Sequence, residues 1–262
     1  MFEGWDLHDV LEYAKSVGYD GVEIAPFTVC DDVGEVSQVK RTEIREDAES
    51  MGMDIVGLHW LLVKPEGLYI NHPDDSVRGR TTRYMKELTK FCGDLGGGVM
   101  VVGSPKQRNV VEGIDFDRAW ELARDTFKQI VPIAEENGVT LCMEPLSQAE
   151  TDFINTAEDA MRMAEDVDSP NFKIILDVKA MSSEGRDLPE IIRSARNMVG
   201  HVHANDANRR GPGFGETDFV PIAEALREIG YEGYVSVEVF DFSPDPKTIA
   251  SRSIEYLRNV FQ

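Results

Sequence analysis

Four acidic or imidazole side chains lie where short apolar segments of this sequence end. They are Glu144 after TLCM, Asp177 after FKIIL, His203 in VGHVHA and Glu238 in YVSVEV. Three carboxylates and one imidazole form a mostly hard ligand set, which suits Mn²⁺ or Mg²⁺ and accepts Co²⁺, Fe²⁺ or Zn²⁺ less selectively. Any one of them fits an ordinary surface charge, but four in succession favour a metal site.

A metal held by glutamates suggests a reaction class. The ion can polarise a carbonyl and an adjacent hydroxyl group, and a carboxylate above each face of the substrate can remove and return a proton on the carbon next to the carbonyl. The resulting enediolate would be stabilised by the metal and by a cation such as Arg209. This chemistry covers aldose–ketose isomerisation, ketose epimerisation and loss of water from a keto-sugar.

The surrounding sequence alternates short apolar segments with longer amphipathic ones. Seven strand candidates are each followed by a helix candidate, and one helix precedes them; the strands are 22–24, 54–58, 99–102, 140–143, 172–176, 199–204 and 234–239. Regular alternation predicts a parallel sheet covered by helices.

Two closures of that sheet compete, an open doubly wound sheet and a barrel. Charged residues at the ends of four strands favour a (β/α)8 TIM barrel, because its strand ends converge on one site. Neither GxGxxG nor GxxxxGK[ST] occurs in the chain, so no nucleotide-binding motif supports the open sheet. We predict a single TIM-barrel domain over residues 1–262, with the first strand missing or truncated because only five residues precede the first helix.

The amino-acid composition limits the kinds of molecule that this protein could bind and where it is located. The 27 basic and 48 acidic residues give a net charge of −21, a poor match for a nucleic acid and most simply a device for solubility. No apolar stretch of about 18 residues occurs, so no membrane span is expected. Three cysteines without short spacing indicate a reducing, cytoplasmic location.

Four segments together resemble the xylose isomerase-like TIM-barrel family of sugar phosphate isomerases and epimerases, over nearly the whole chain. They are EPLSQAETDFINT, LDVKAM, HVHANDANRRGPGFGETDF and VSVEVF. That family includes ketose 3-epimerases, hydroxypyruvate isomerases, inosose dehydratases and 3-dehydroshikimate dehydratases. The resemblance implies that the metal is held by Glu144, Asp177, His203 and Glu238, with the two glutamates as the acid/base pair. It also matches Glu150 and Arg209 to residues that bind substrate.

The chain departs from this family at two places. Epimerases of the group carry a substrate-binding histidine three residues after the aspartate ligand, where this sequence has Ala180. Lys179 is adjacent but would point elsewhere on an extended chain. The missing first strand implies either a gene start further upstream or an open seam with two exposed strand edges, which would reduce stability; a longer chain with an unchanged melting temperature would contradict this.

Other side chains near predicted strand ends have a functional and a packing interpretation. His59 and Trp60 suit either a polar contact and ring wall for a sugar or packing beneath the loop 64–76. Lys106 and Arg108 suit either a phosphate or carboxylate contact or solvated loop cations. Glu23 is a candidate partner for Arg209 or Lys106, and His201 either orients a ligand or is a core histidine.

We therefore predict a divalent-metal-dependent sugar, or sugar-derived keto-acid, isomerase or epimerase with no further cofactor. The alternatives are a dehydratase of a keto-sugar or dehydroshikimate-type substrate on the same site, and a non-catalytic sugar-binding barrel. An apurinic endonuclease is disfavoured by five histidines and the charge of −21. The expected partner is a small molecule, neither nucleic acid nor membrane. Barrels of this kind often pair, so a homo-oligomer is compatible with the sequence.

Overall fold

The strands of the computed structural model, which describes residues 1–2 and 4–261, form one parallel sheet in chain order. The strands are β1 (Gly21–Ile24), β2 (Asp54–Leu58), β3 (Val99–Val102), β4 (Thr140–Met143), β5 (Phe172–Asp177), β6 (Val199–Ala204) and β7 (Val235–Val237). Each strand pairs in parallel with the next. The predicted TIM barrel is confirmed, in a nearly closed form with seven strands among the described residues.

Helices follow the strands and cover the outer face of the sheet. They are α1 (Leu7–Val17), α2 (Gln38–Ser50), α3 (Asp75–Asp94), α4 (Phe116–Glu136), α5 (Ala157–Val167), α6 (Val178–Ser182), α7 (Leu188–Ala195), α8 (Val220–Glu228) and α9 (Pro246–Val260). Short 3₁₀ turns occupy Pro26–Thr28, Val33–Glu35, Pro105–Gln107 and Arg196–Met198. None of the described helices is long and apolar enough to cross a membrane.

Local sequence explains where these helices begin and end. Asp6 accepts a hydrogen bond from the backbone N–H of His8 at the start of α1, and Gly18 ends that helix in a left-handed conformation. Asp177, at the end of β5, accepts from the backbone N–H of Ala180 and starts the short helix α6. The sequence did not predict α6, because five residues are too few to show helical periodicity.

Alternation along the strands separates two cores. Leu141 and Met143 of β4 pack with the large core beneath the helices. Cys142, between them, packs with Val101 of β3 and Ile175 of β5 in a small separate cluster. Cys142 is therefore the buried core residue that the sequence predicted, and it marks the inner face of the barrel.

The gap in the barrel lies between β1 and β7, which share no ladder within the described part of the chain. Side chains span this region where main-chain pairing is absent. Tyr234, just before β7, donates its hydroxyl hydrogen to a carboxylate oxygen of Asp54 at the start of β2. At the carboxyl end of the strands, Glu238 after β7 contacts side chains that follow β2, as described below.

Candidate active site

The inner face of the barrel ends in the four side chains that the sequence singled out. Glu144, Asp177 and His203 continue the inward-facing positions of β4, β5 and β6, and Glu238 directly follows β7. One ligand-capable atom of each lies within 4.8 Å of those of the others. Parallel strands that begin on one side of a barrel bring residues 94 positions apart in sequence to the same place.

Two atoms in this group, which we call the four-residue cluster, are buried without a hydrogen-bond partner among the described residues. They are His203 Nδ1 and Glu238 Oε2, which lie 3.0 Å apart, while Asp177 Oδ2 is 4.0 Å from the same nitrogen. Buried polar atoms are normally paired. Without a cation these two atoms make only ion-pair contacts within the described part of the chain. Ligand-capable atoms that face one another, in a set of three carboxylates and one imidazole, fit a divalent cation.

Beneath the cluster, Glu23 of β1 joins two imidazoles. Its Oε1 lies 2.6 Å from His201 Nε2 and its Oε2 lies 3.1 Å from His203 Nε2. Burial alone would raise the pKa of Glu23, but the two imidazoles outweigh it and hold this pKa well below its ordinary value. The suggested pairing of Glu23 with Arg209 or Lys106 was wrong. Glu23 instead directs His203 so that Nδ1 faces the cluster.

Above the cluster, two side chains after β2 converge on one oxygen of Glu238. Trp60 Nε1 donates to Glu238 Oε1 at 2.9 Å, and His59 Nδ1 lies 3.4 Å from the same oxygen. Trp60 has a φ of 55°, a left-handed conformation that is unusual for a bulky residue and common at functional sites. The residue is 44% exposed, and its ring packs edge-on against Phe27. His59 and Trp60 therefore contact the site rather than only packing beneath a loop.

The surroundings of the cluster shift the pKa values of its carboxylates in opposite directions. Burial, together with the charges of Glu238 and Asp177, raises the pKa of Glu144 to about 8. Burial, with the charge of Glu238, also raises the pKa of Asp177 to about 6. Burial would likewise raise the pKa of Glu238, but the imidazoles of His203 and His59 reverse the shift and lower it. Burial opposes protonation of His203, yet Glu23 and Glu238 raise its pKa well above the ordinary value. Crowded carboxylates of this kind favour a cation between them.

Glu150 lies in the loop after β4, as predicted, and is tied to Lys179. Its Oε2 accepts from Ser147 Oγ at 2.6 Å, and its Oε1 accepts from Lys179 Nζ at 2.7 Å. The expectation that Lys179 would point elsewhere assumed an extended chain and was wrong. Helix α6 begins at this point and turns the side chain towards Glu150 instead.

The predicted cations differ in their surroundings. Arg209 and Lys106 are exposed, in loops after β6 and β3, and neither forms an ion pair with the residues that the structure describes. Arg108 is fully buried and donates from Nη1 to the backbone carbonyl of Glu144 at 2.6 Å. Its burial lowers its pKa to about 10. Arg108 therefore holds the main chain under Glu144, and neither of its expected roles, solvated cation or phosphate contact, applies.

Comparison with known proteins identifies the family. A family model described as a xylose isomerase-like TIM barrel matches residues 11–260. The chain belongs to this family.

Relatives of this xylose isomerase-like barrel carry epimerase names. The D-psicose 3-epimerase of Ruminiclostridium cellulolyticum is 30% identical over 243 residues, which cover 90% of this chain and 78% of that protein. The 3-dehydro-D-guloside 4-epimerase of Escherichia coli is 26% identical over 265 residues, covering 97% and 94%. The prediction of an enzyme of the isomerase and epimerase class is confirmed by these relatives.

Solved structures agree on the fold. The crystal structure of a D-psicose 3-epimerase with D-tagatose, from Clostridium cellulolyticum H10, superposes with a TM-score of 0.87. It covers 98% of this chain and 94% of that chain, at 24% sequence identity. At that identity the likeness supports the fold alone.

Proposed function

We propose that this protein is a divalent-metal-dependent ketose epimerase, which inverts the carbon next to the carbonyl group of a sugar. The observation that carries the proposal is the four-residue cluster, in which the buried atoms His203 Nδ1 and Glu238 Oε2 face one another without a hydrogen bond to any described residue. The names of the relatives support the substrate class. Both names put the inverted carbon beside a carbonyl, at position 3 of a 2-ketose or at position 4 of a 3-keto-sugar.

The proposed metal ligands are Glu144, Asp177, His203 and Glu238, and Mn²⁺ or Mg²⁺ suits their oxygen-rich set best. When bound, the cation would supply Lewis-acid stabilisation of negative charge on the substrate oxygens. The same cation would offset the mutual repulsion of the three carboxylates.

The two glutamates are the proposed acid and base. They follow β4 and β7, the outer two of the four strands that carry the cluster, so that a substrate between them presents one face to each. The neighbouring imidazoles lower the pKa of Glu238 and keep it ionised, ready to take the proton from carbon. Without metal, burial and the charges of Glu238 and Asp177 raise the pKa of Glu144 to about 8. Glu144 is therefore the more basic of the two glutamates and the proposed carrier of the proton for the opposite face. Groups whose environments push their pKa values apart in this way are suited to proton transfer in two directions.

Inversion then follows from two proton transfers. The Glu238 carboxylate removes the proton on one face, and the electron pair of the broken C–H bond moves into the adjoining carbonyl. Glu144 delivers its proton to the other face of the same carbon. In the reverse direction the two residues exchange roles, so no net proton is gained or lost.

Solvent exchange tests this proposal. The protein is loaded with Mn²⁺ and incubated in D₂O with a panel of ketoses, and proton NMR follows the hydrogen next to the carbonyl. We expect deuterium at that carbon together with the epimeric sugar. Glu238→Gln should abolish both products, whereas Glu224→Gln, an exposed control on α8, should leave them unchanged.

Two results would contradict the proposal. One is deuterium exchange that survives in Glu238→Gln at the wild-type rate. The other is tight metal binding without exchange of any ketose, which would favour a non-catalytic sugar-binding barrel. Loss of water from a keto-sugar in the same assay would instead identify the dehydratase alternative.

A further inference from the structure

The segment that follows Asp177 places a mostly buried ammonium group beside the site. Lys179 lies two residues after that cluster carboxylate, and its side chain is only 13% exposed. Its backbone N–H donates to Asn205 Oδ1 at 2.7 Å, and Asn205 in turn donates from Nδ2 to Asp177 Oδ2. The start of α6 is therefore fixed to the same carboxylate that joins the cluster.

The ammonium of Lys179 connects three loops on the carboxyl side of the barrel. Nζ donates to Glu150 Oε1 at 2.7 Å and lies 4.2 Å from the centre of the Phe240 ring. Glu150 comes six residues after Glu144, and Phe240 comes two residues after Glu238. Each loop that Lys179 touches or belongs to thus starts at a carboxylate of the cluster.

Burying an ammonium group is costly unless its charge is compensated, and an ion pair of this kind adds little to stability for its own sake. Ala180, the next residue, is buried with an apolar side chain and contributes only its backbone N–H, to Asp177 Oδ1. Between Asp177 and Ala180, Lys179 is consequently the polar side chain that the start of α6 offers to a bound molecule.

We propose that Lys179, which Glu150 holds in place, binds hydroxyl groups of the substrate and so determines specificity; the family resemblance already assigns Glu150 itself to substrate binding. An ammonium has three N–H donors, and among the described residues Glu150 is the hydrogen-bond acceptor for one of them. A carboxylate and an ammonium side by side present one acceptor and one donor, which matches two neighbouring hydroxyls. Because Glu150 already offsets the positive charge, the pair suits an uncharged polyol and not a sugar phosphate.

This inference rests on the proposed function in that both assume a sugar in this site. Its test therefore includes equilibrium binding, which needs no turnover. Calorimetry measures the affinity of the Mn²⁺-loaded protein for sorbitol, mannitol and sorbitol 6-phosphate, and separately the affinity of the protein for Mn²⁺. The variants are Lys179→Met, which keeps the length of the stem, and Lys179→Arg, which keeps the charge.

Lys247→Met is the matched control. Lys247 also lies over aromatic rings, 5.6 Å from the centre of Trp5 and 5.4 Å from that of Tyr13, but it belongs to α9 and contacts the start of the chain. We expect it to bind both metal and hexitols as the wild type does.

We expect Lys179→Met to bind the preferred hexitol about tenfold more weakly, the loss typical of a hydrogen bond to a charged group, with Mn²⁺ affinity unchanged. Lys179→Arg should recover part of the loss, and the wild type should prefer sorbitol to its 6-phosphate. Equal loss of metal and hexitol affinity in Lys179→Met would overturn the proposal, because it would show that Lys179 only holds the loops of the site together. Tighter binding of the phosphate would overturn the assignment to an uncharged polyol.

The deuterium-exchange assay separates this inference from the proposed function. If the wild type exchanges a ketose while Lys179→Met keeps the same KM and the same hexitol affinity, the role of Lys179 is wrong and the epimerase function stands. If the wild type binds no hexitol but exchanges a ketose, an unchanged KM in Lys179→Met overturns the role and a raised KM with unchanged kcat supports it. A wild type that neither binds hexitols nor exchanges ketoses overturns both.

Discussion

Glu238 is held from two directions, and the two oxygens of its carboxylate have different surroundings. Oε1 accepts from Trp60 Nε1 and lies near His59 Nδ1, while Oε2 has no hydrogen-bond partner within the described chain and faces His203 Nδ1. Donors that occupy one oxygen leave the other directed at the position between the cluster residues. Such supporting contacts orient metal ligands and commonly change metal affinity when they are removed.

Replacing Trp60 with phenylalanine tests this role. Trp60→Phe keeps an aromatic ring beside Phe27 but removes the N–H that donates to Glu238. We expect Mn²⁺ affinity to fall about tenfold, measured by calorimetry, with little change in melting temperature. Trp120→Phe is the control, because Trp120 Nε1 also donates to a carboxylate, Asp166 Oδ2 at 2.7 Å, on the helical face. Equal affinities in the two variants would refute the positioning role.

At the scale of single residues, the sequence predicted the four-residue cluster but not the side-chain contacts that hold its members in place. Each cluster residue ends an apolar strand pattern, and parallel barrel topology makes such ends converge. The contacts of Glu23 with His201 and of Trp60 with Glu238 join residues 178 positions apart. Those contacts depend on how closely β1 approaches β6, and the end of β2 approaches the end of β7, across the barrel. No local sequence pattern encodes these distances.

At the scale of elements, the end of β3 leaves room for Glu144 because residue 103 is glycine. A β-carbon added at Gly103 would lie 2.1 Å from Glu144 Oε2, well inside normal contact distance. The neighbouring carboxylate therefore occupies the space that any other residue type would fill. The absence of a side chain at Gly103 is part of the geometry of the cluster.

Gly103→Ala should displace Glu144 and weaken Mn²⁺ binding by about tenfold or more, since a metal ligand would be moved. Calorimetry measures the affinity, and circular dichroism checks that the fold is retained. Gly98→Ala is the matched control just before β3, because an added β-carbon there meets nothing within 4 Å. If both variants bind Mn²⁺ as tightly as the wild type, Glu144 is not a ligand or can move freely.

Local periodicity predicted the strands and the long helices, whereas short elements were missed. The last strand was expected over 234–239 but extends only from Val235 to Val237. Its alternating apolar residues are equally compatible with an irregular edge, because within the described residues β7 pairs with a neighbour on one side only. The helix α6 depends on the cap at Asp177, whereas the sequence pattern indicated only a metal ligand at that position.

At the scale of the whole molecule, the cluster joins four consecutive strands, of which β7 is at the edge of the gap. β7 is short and half-buried, so its main chain should open more easily than that of the central strands. A cation held by residues of β4 to β7 would stabilise the native state by binding it in preference to the unfolded chain.

Removal of the metal should therefore lower the local stability of β7 more than that of the other strands. We expect Mn²⁺ to raise the melting temperature and to slow amide hydrogen exchange in β7, and a chelator to reverse both effects. Hydrogen exchange with mass spectrometry measures this, with β3 as the internal reference because it carries no cluster residue. Protection that increases equally in β3 and β7, or in neither, would contradict a site that anchors the edge.

The stabilisation of the native state by Mn²⁺ should depend on pH, and the pKa values of the cluster carboxyls determine whether it increases or decreases as pH rises. Metal ligands bind in their deprotonated forms, but burial and neighbouring charges raise the pKa of Glu144 to about 8 and that of Asp177 to about 6. Below these values both carboxyls hold protons that the metal must displace, so Mn²⁺ affinity should rise from pH 6 to about pH 8.

Without metal, the raised pKa of Glu144 means that its contribution to the free energy of unfolding falls as pH rises from its ordinary value of 4.5 to about 8. The increase in melting temperature caused by Mn²⁺ should therefore be larger at pH 8 than at pH 6. Calorimetry in buffers of different ionisation enthalpy should detect protons released on binding at pH 7 and fewer at pH 8.5. A pH-independent affinity without proton release would show that Glu144 is already ionised in the metal-free protein, and would contradict its raised pKa.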